Sequence, residues 1–473
     1  MQTITRPSRF ALQVFILLLL LLVPLWLALG RQAGAFEAEA GSKLKRKSGE
    51  RYAEGASAWT YETVRVKAGR PGGFAPQTRL GFTAGDQWEP AIAADRFGHV
   101  YVLYPQYGGV PGCDDCFSPT MILQISSDRG AAWGAPAIIH PAGSATGQWD
   151  AQIMVDPVDG RTVYAAWLQD GKSDTVVAKS TDFGATWSVV VANSTNAGTD
   201  KPILAVRGPH VYVAYSHAQK VWVSSSHDGG ATFTSVNVNK TGKLGWSLAG
   251  GGAADPAGNV YFSWAGYTQN GGAKGPVNLY FSKSADGGAT WATKTLDVSG
   301  APPDCSAYLC GWAYLGAQMT MTSDAAGTLY ALWNAGAVDK GPERIYFAKS
   351  TDAGATWSAK VDVSLAPDGV HHAFPAIAAG AAGDVRISWM DARAGGWWNT
   401  YYRGSTNGGA TWSGEADLST FVSGFAYITT DGFSFPFGDY FELDIDDQGN
   451  THAVWGEGLN YDSPGSIWYT KGK

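Results

Sequence analysis

STDFGATW, residues 180–187, returns almost letter for letter as SADGGATW from Ser284 and STDAGATW from Ser350. Looser copies read SSDRGAAW from Ser126, SHDGGATF from Ser226 and STNGGATW from Ser405. An aspartate in a tight turn accepts hydrogen bonds from the backbone N–H groups that follow it. Asp128, Asp182, Asp228, Asp286 and Asp352 hold that position, and Asn407 substitutes in the last copy. The glycine two residues on permits a positive φ. The closing aromatic, such as Trp187, offers a large apolar surface to lock the turn. The octapeptide therefore reads as a turn staple and not as a reacting group.

Around it the pattern extends. Before the copies lie period-two strands such as KVWVSS from Lys220, VNLYFSK from Val277, RIYFAK from Arg344 and NTYYRG from Asn399. Further upstream lies a hairpin with a glycine turn, for example PAIAADRFGHVYVLY from Pro90 and YFELDIDDQGNTHAVW from Tyr440. Seven such hairpins stand against six octapeptides. After the seventh, SIWYTKGK, residues 466–473, matches the strand that precedes an octapeptide, and no octapeptide follows it. Each full unit is thus strand A, turn, strand B, loop, strand C, octapeptide, strand D. A strand near the N-terminus, such as ETVRVKAG from Glu62, would complete the seventh unit. The expectation is an all-β protein, a seven-bladed β-propeller of four-stranded blades closed by an N-terminal strand, over residues 59–473.

The pattern S-x-D-x-G-x-T-W resembles the Asp-box, or BNR, repeat of the sialidase superfamily. The resemblance implies the propeller architecture and, more weakly, a carbohydrate ligand. Similar boxes occur in sialidases, other glycosidases, receptors and an assembly factor. Sialidases clamp their substrate with three arginines, one from an R-I-P-type motif. The chain has no such motif, and only Arg393 and Arg344 are expected on the pocket side, so sialic acid hydrolysis is not implied.

Composition agrees with many short strands. Aromatics make up 13% of the 473 residues, glycine contributes 61, and charged residues are only 16%. Arg6 and Arg9 precede an apolar run from Phe10 to Leu29, and Ala33-Gly34-Ala35 offers a small-residue cleavage site. Residues 1–35 read as a signal peptide, with an N-terminal anchor as the alternative, and residues 36–58 as a polar tether. Removing 1–35 deletes three arginines and no acid, so the net charge of -7 becomes about -10. The expectation is an extracellular or cell-surface monomer, with no nucleic-acid partner. Cys113 pairs in sequence with Cys116, and Cys305 with Cys310, which suggests two local disulfides. DIDDQG from Asp444 looks like the start of a calcium loop but lacks the later glutamate, and reads as a structural turn. Neither a metal nor a cofactor is expected.

The octapeptides occupy one face, so a ligand site belongs on the other, around the central channel. Loops there carry carboxylates among aromatics, a mixture that suits sugars. Hydrolysis needs two carboxyl groups or a tyrosine nucleophile. The candidates are Asp391, Glu457, Asp439 and Tyr440, with Arg393, Trp149, Asp150, Trp397, Trp398 and His372 as binding residues. A carbohydrate or glycoconjugate is the expected partner. A non-catalytic scaffold binding a protein is the rival.

Overall fold

The computed structural model describes residues 73–82, 85–140, 147–196, 198–239, 245–269, 273–303, 315–394, 397–419, 438–458 and 465–473. All fall within a compact unit, Arg51–Lys473. The expected signal peptide and tether, the strand expected from Glu62, and Cys305 and Cys310 lie outside the described residues. No helix among the described residues is long and apolar enough to cross a membrane.

The period-two segments become antiparallel strands grouped in seven sheets. The inner strands of blades 1 to 3 are Ala91–Ala94 (with Asp86–Gln87), Gln148–Val155 and Thr199–Arg207. Those of blades 4 to 7 are Trp246–Ala254, Met319–Ser323, His372–Ala379 and Glu442–Ile445. Each packs beside the next, and Glu442–Ile445 packs beside Ala91–Ala94, so the ring closes. The second strands are buried on both faces, as in Val260–Tyr267 and Leu329–Gly336, because a blade is sandwiched between two others. The outer edge of blade 7, Gly465–Gly472, is paired by Thr78–Leu80, which lies further along the chain than the segment expected from Glu62.

The six octapeptides share one hydrogen-bond pattern. The serine hydroxyl donates to the Asp or Asn side-chain oxygen, as Ser180 does to Asp182 at 2.8 Å and Ser405 to Asn407 at 2.9 Å. The same serine oxygen accepts the glycine N–H, at 2.9 Å for Gly184. The aspartate then accepts the N–H of the residue four on, at 2.9 Å for Thr186 and 2.8 Å for Ala132. Where that residue is threonine its hydroxyl adds a second bond, as from Thr356 to Asp352 at 2.6 Å.

The closing aromatics are half-buried rather than fully buried, because each reaches sideways onto an adjacent strand. Trp412 meets Phe347 edge-on at 5.0 Å, Trp357 meets Phe281 at 5.2 Å, and Trp133 meets Tyr469 at 4.8 Å. In each pair the partner belongs to the preceding blade. The glycine has a second reason to be glycine: besides its φ of 80°, a Cβ on Gly354 would stand 2.2 Å from the Phe281 ring. The turn is therefore a rivet between blades as well as a staple within one. Blade 7 has no octapeptide to fasten it to blade 6. There Phe74 takes the place, meeting Tyr402 edge-on at 4.7 Å, with Gly472 closely beneath it.

The hairpin turns on the same face are also saturated. Asp324 accepts the N–H of Ala326 and Thr328 and the Tyr330 hydroxyl at 2.8 Å. Asp446, in the calcium-like DIDDQG stretch, does the same with Gln448, Asn450 and His452, which makes that stretch a structural turn.

Candidate functional site

Glu89, Asp150, Lys201 and Phe374 occupy equivalent places where the inner strands of blades 1, 2, 3 and 6 begin. All four have positive φ, at 55°, 59°, 52° and 56°. Non-glycine residues adopt this conformation at a cost of about 1–3 kcal/mol. The ladder is broken at the same level. Blade 1 interrupts its inner strand between Gln87 and Ala91, and blades 2, 3 and 6 shift register at Trp149/Gln152, Asp200/Ile203 and Ala373/Ala376. Such bulges re-aim side chains. In blades 1 to 3 the re-aimed residues are an acid, an acid and a lysine.

They meet at one mouth of the central channel. The Lys201 ammonium lies 3.7 Å from Glu89 Oε1, contacts Asp439 Oδ1, and sits 4.1 Å above the Tyr440 ring. Lys172, from the loop after strand B of blade 2, lies 3.2 Å from Asp200 Oδ1 and 3.5 Å from Asp150 Oδ2. Its ammonium is also 5.9 Å from the Trp149 ring. The Tyr440 hydroxyl donates to the Ala151 carbonyl at 3.2 Å, and Trp88 stacks on Tyr107 at 4.3 Å. Glu89 and Asp150 are buried, yet Glu89 Oε1 and Asp150 Oδ2 accept no hydrogen bond among the described residues. Burial pushes the Glu89 carboxyl up to about 8 against the pull of Lys201. Burial acts on Asp150 in the same direction, but Lys172 and Lys201 outweigh it and hold that carboxyl low. The two acids are thus pushed in opposite directions, Glu89 toward its neutral form and Asp150 toward its ionised form.

Below this mouth the channel encloses about 650 Å³, lined chiefly by small and apolar side chains of all seven inner strands. Ligand pockets commonly have volumes of about 300–1,000 Å³. On one wall, carboxylates hold the seam between blades 7 and 1. Glu442 accepts the Ile92 N–H at 3.1 Å and the Gln152 amide at 2.7 Å, and Asp444 accepts the Ala94 N–H at 2.8 Å. Burial raises Glu442 to about 8 and Asp444 to about 6.

Of the residues expected from sequence, Trp149, Asp150, Asp439 and Tyr440 come together here. Asp391, Glu457, Arg393 and His372 do not join them, and two of the placements need correcting. Asp391 and Glu457 lie within strands, Val385–Ala394 and Thr451–Gly458, and not in a loop rim. Asp391 accepts the Trp389 indole N–H at 2.9 Å, and Glu457 accepts that of Trp455 at 2.7 Å. Both side chains are buried. Arg393 donates to Asp391 at 2.6 Å, contacts Glu415, and stacks 3.8 Å over Tyr401. His372 lies between the Glu343 carbonyl at 2.7 Å and the Ser364 hydroxyl at 2.8 Å. Arg344 is held by Asp362 at 2.7 Å and by the Ala366 carbonyl at 3.0 Å. Trp398 is buried in the core beside Phe374, and the Trp397 side chain lies outside the described residues. Cys113 and Cys116 form a disulfide in the B-to-C loop of blade 1. Lys172, Glu89 and Lys201 complete the cluster. The sequence signal of Glu89 and Lys201 is the repeated place just before strand A, which Glu89-Pro90 and Lys201-Pro202 share; Lys172, after a strand B, carries no such signal. Among the described residues, no group of three or more His, Cys, Asp or Glu is arranged to hold a metal.

Several solved structures share the architecture. A polysaccharide lyase, an ulvan lyase bound to GlcA(1-4)Rha3S, superposes with a TM-score of 0.52 at 11% identity, over 82% of this chain and 95% of that one. A phage phi92 endosialidase gives 0.48 at 9% identity, over 85% and 69% of the two chains. The intramolecular trans-sialidase from Ruminococcus gnavus gives 0.42 at 14% identity, over 84% and 97%. At these identities the likeness is one of fold. No protein-family model matches the chain, and no curated protein does.

Proposed function

We propose that the protein is exported and recognises a carbohydrate at the channel mouth formed by blades 1, 2, 3 and 7. The observation that carries this reading is the convergence of strained, charged inner-strand residues with aromatic rings above a ligand-sized cavity. Backbone strain of this kind persists where surrounding structure over-determines it, which is typical of ligand sites. Lys172 and Asp200, which keep part of their surface, and the ring of Trp149 supply hydroxyl-binding groups and a stacking face. Carbohydrate ligands or substrates of the lyase and sialidases that share the fold are consistent with it. Recognition is favoured over hydrolysis. Glu89, Asp391 and Glu457 are all buried, and Asp391 and Glu457 each accept an indole N–H within their own blade.

A glycan array probed with the mature chain tests this. The expected result is binding of a defined glycan class that Lys172→Ala and Trp149→Ala each weaken at least about tenfold, without loss of fold. A blank array, or binding unchanged in both variants, overturns the reading and favours a protein-binding scaffold.

A further inference from the structure

On the octapeptide face of blade 3, two histidines stand together outside everything described above. His210 opens strand His210–His217, and His227 follows strand Lys220–Ser226. The two strands pair antiparallel with Val211 opposite Ser226, so the next residues outward face each other across the ladder. Their Nδ1 atoms are 2.8 Å apart, with ring centroids at 5.1 Å and planes at 69°. Both rings are exposed.

The pair is held rather than loosely placed. The Gly229 N–H donates to the Pro209 carbonyl at 2.9 Å and ties the two strand ends together. The octapeptide turn of blade 4 abuts the His227 ring, since a Cβ on Gly287 would lie 2.8 Å from its Cε1. Tyr212 flanks the same ring edge-on at 6.0 Å. Asp228, the neighbouring acid, is already occupied by Ser226, Ala231 and Thr232. Two Nδ1 atoms at this separation share either a proton or a cation.

We propose that His210 and His227 form a two-imidazole site for a divalent transition metal that prefers right-angled coordination, Cu(II) or Ni(II). Metal–nitrogen bonds of about 2.0 Å place a metal between two such atoms with an N–metal–N angle of about 90°. That is the angle between adjacent ligands in square-planar and octahedral geometry. A tetrahedral Zn(II) centre needs the nitrogens about 3.3 Å apart. No third His, Cys, Asp or Glu joins the pair among the described residues, so the remaining positions fall to water. The metal is therefore exchangeable, and its hold depends on the chelate made by the two rings.

The test is titration of the full chain with Cu(II), Ni(II) and Zn(II) salts alone, by calorimetry in a non-coordinating buffer, with electron paramagnetic resonance of the copper form. The expected result is one Cu(II) site whose spectrum shows coupling to two imidazole nitrogens, and Ni(II) bound more tightly than Zn(II). His210→Gln and His227→Gln should each weaken Cu(II) at least about tenfold, because a single imidazole loses the effective concentration of its partner. Circular dichroism of both variants establishes that the fold is retained. Copper affinity unchanged in both folded variants, or a spectrum with a single nitrogen, overturns the proposal.

Discussion

Asp352 and Glu89 are both acids at the end of a strand, on opposite faces of the ring, and they differ in what surrounds the carboxylate. Asp352 is at the surface, yet it takes the Thr356 hydroxyl, the Thr356 N–H and the Ser350 hydroxyl, and these bonds lower its pKa to about 2. Glu89 is buried, with one oxygen that accepts no hydrogen bond among the described residues, and burial raises it to about 8. The octapeptide face repeats one saturated arrangement six times. The channel mouth repeats a strained backbone position in blades 1, 2, 3 and 6 and fills it with a different residue each time, Glu89, Asp150, Lys201 and Phe374. Repetition with satisfied groups marks the parts that hold the ring together. Variation on a strained, incompletely satisfied position marks the part proposed to answer a ligand.

The largest expected effect lies on the saturated side. Gly354→Ala forces a side chain onto a positive φ and into the Phe281 ring, and should cost about 2–4 kcal/mol in denaturant unfolding. A loss well under 1 kcal/mol would break the contrast, since the turn would then have slack. Next comes Glu442. Its folded pKa, about 8, lies above the ordinary 4.5, so its contribution is fully present below about pH 4.5 and is lost as pH rises through about 8. Thermal midpoints of the parent should fall across that window, and Glu442→Gln should flatten the slope. An identical slope in the variant would remove Glu442 from the seam. The smallest effect is expected for Asp352→Asn. Asn407 already performs the role, accepting the Thr411 N–H at 2.9 Å and donating to its hydroxyl at 2.8 Å. The neutral-pH midpoint should barely move. Asp352 has a lowered pKa, so its contribution is present above about 3.8 and lost as pH falls through about 2. The variant should therefore unfold less steeply with acid, and a large neutral-pH loss would sharpen the contrast further.

The architecture was legible because its signals are local. Each octapeptide closes its own hydrogen bonds within five residues, and the count of hairpins against octapeptides pointed to the open edge of blade 7. What the octapeptide does between blades was not legible, since Phe281 and Trp357 are joined only by the ring itself. The mouth was half legible. Asp150, Trp149, Asp439 and Tyr440 stand at readable strand starts, but Lys201 gains its meaning from Asp439, 238 positions away. Asp391 and Glu457 misled because an acid after a strand looks like a loop residue. The tryptophan two positions earlier, in WMD and WGE, was the cue that the strand continues and the indole claims the carboxylate.

Phe74 gives the ring a direction in time. Five of the seven joints between blades are made by turns fastened to a blade earlier in the chain, and the sixth, Trp133 on Tyr469, already needs the last strand in place. The seventh waits for a residue from the other end of the chain, next to Thr78–Leu80 pairing with Ile467–Tyr469. Contacts so distant along the chain carry the greatest loop-closure entropy and form late. Loop-closure entropy therefore favours an order in which the arc of blades 1 to 6 forms first and blade 7 latches last, on both of its sides. The same reasoning makes the opening of that latch the expected lowest-cost excursion from the native state, which native-state hydrogen exchange would show as early exchange in Thr78–Leu80 and Gly465–Gly472.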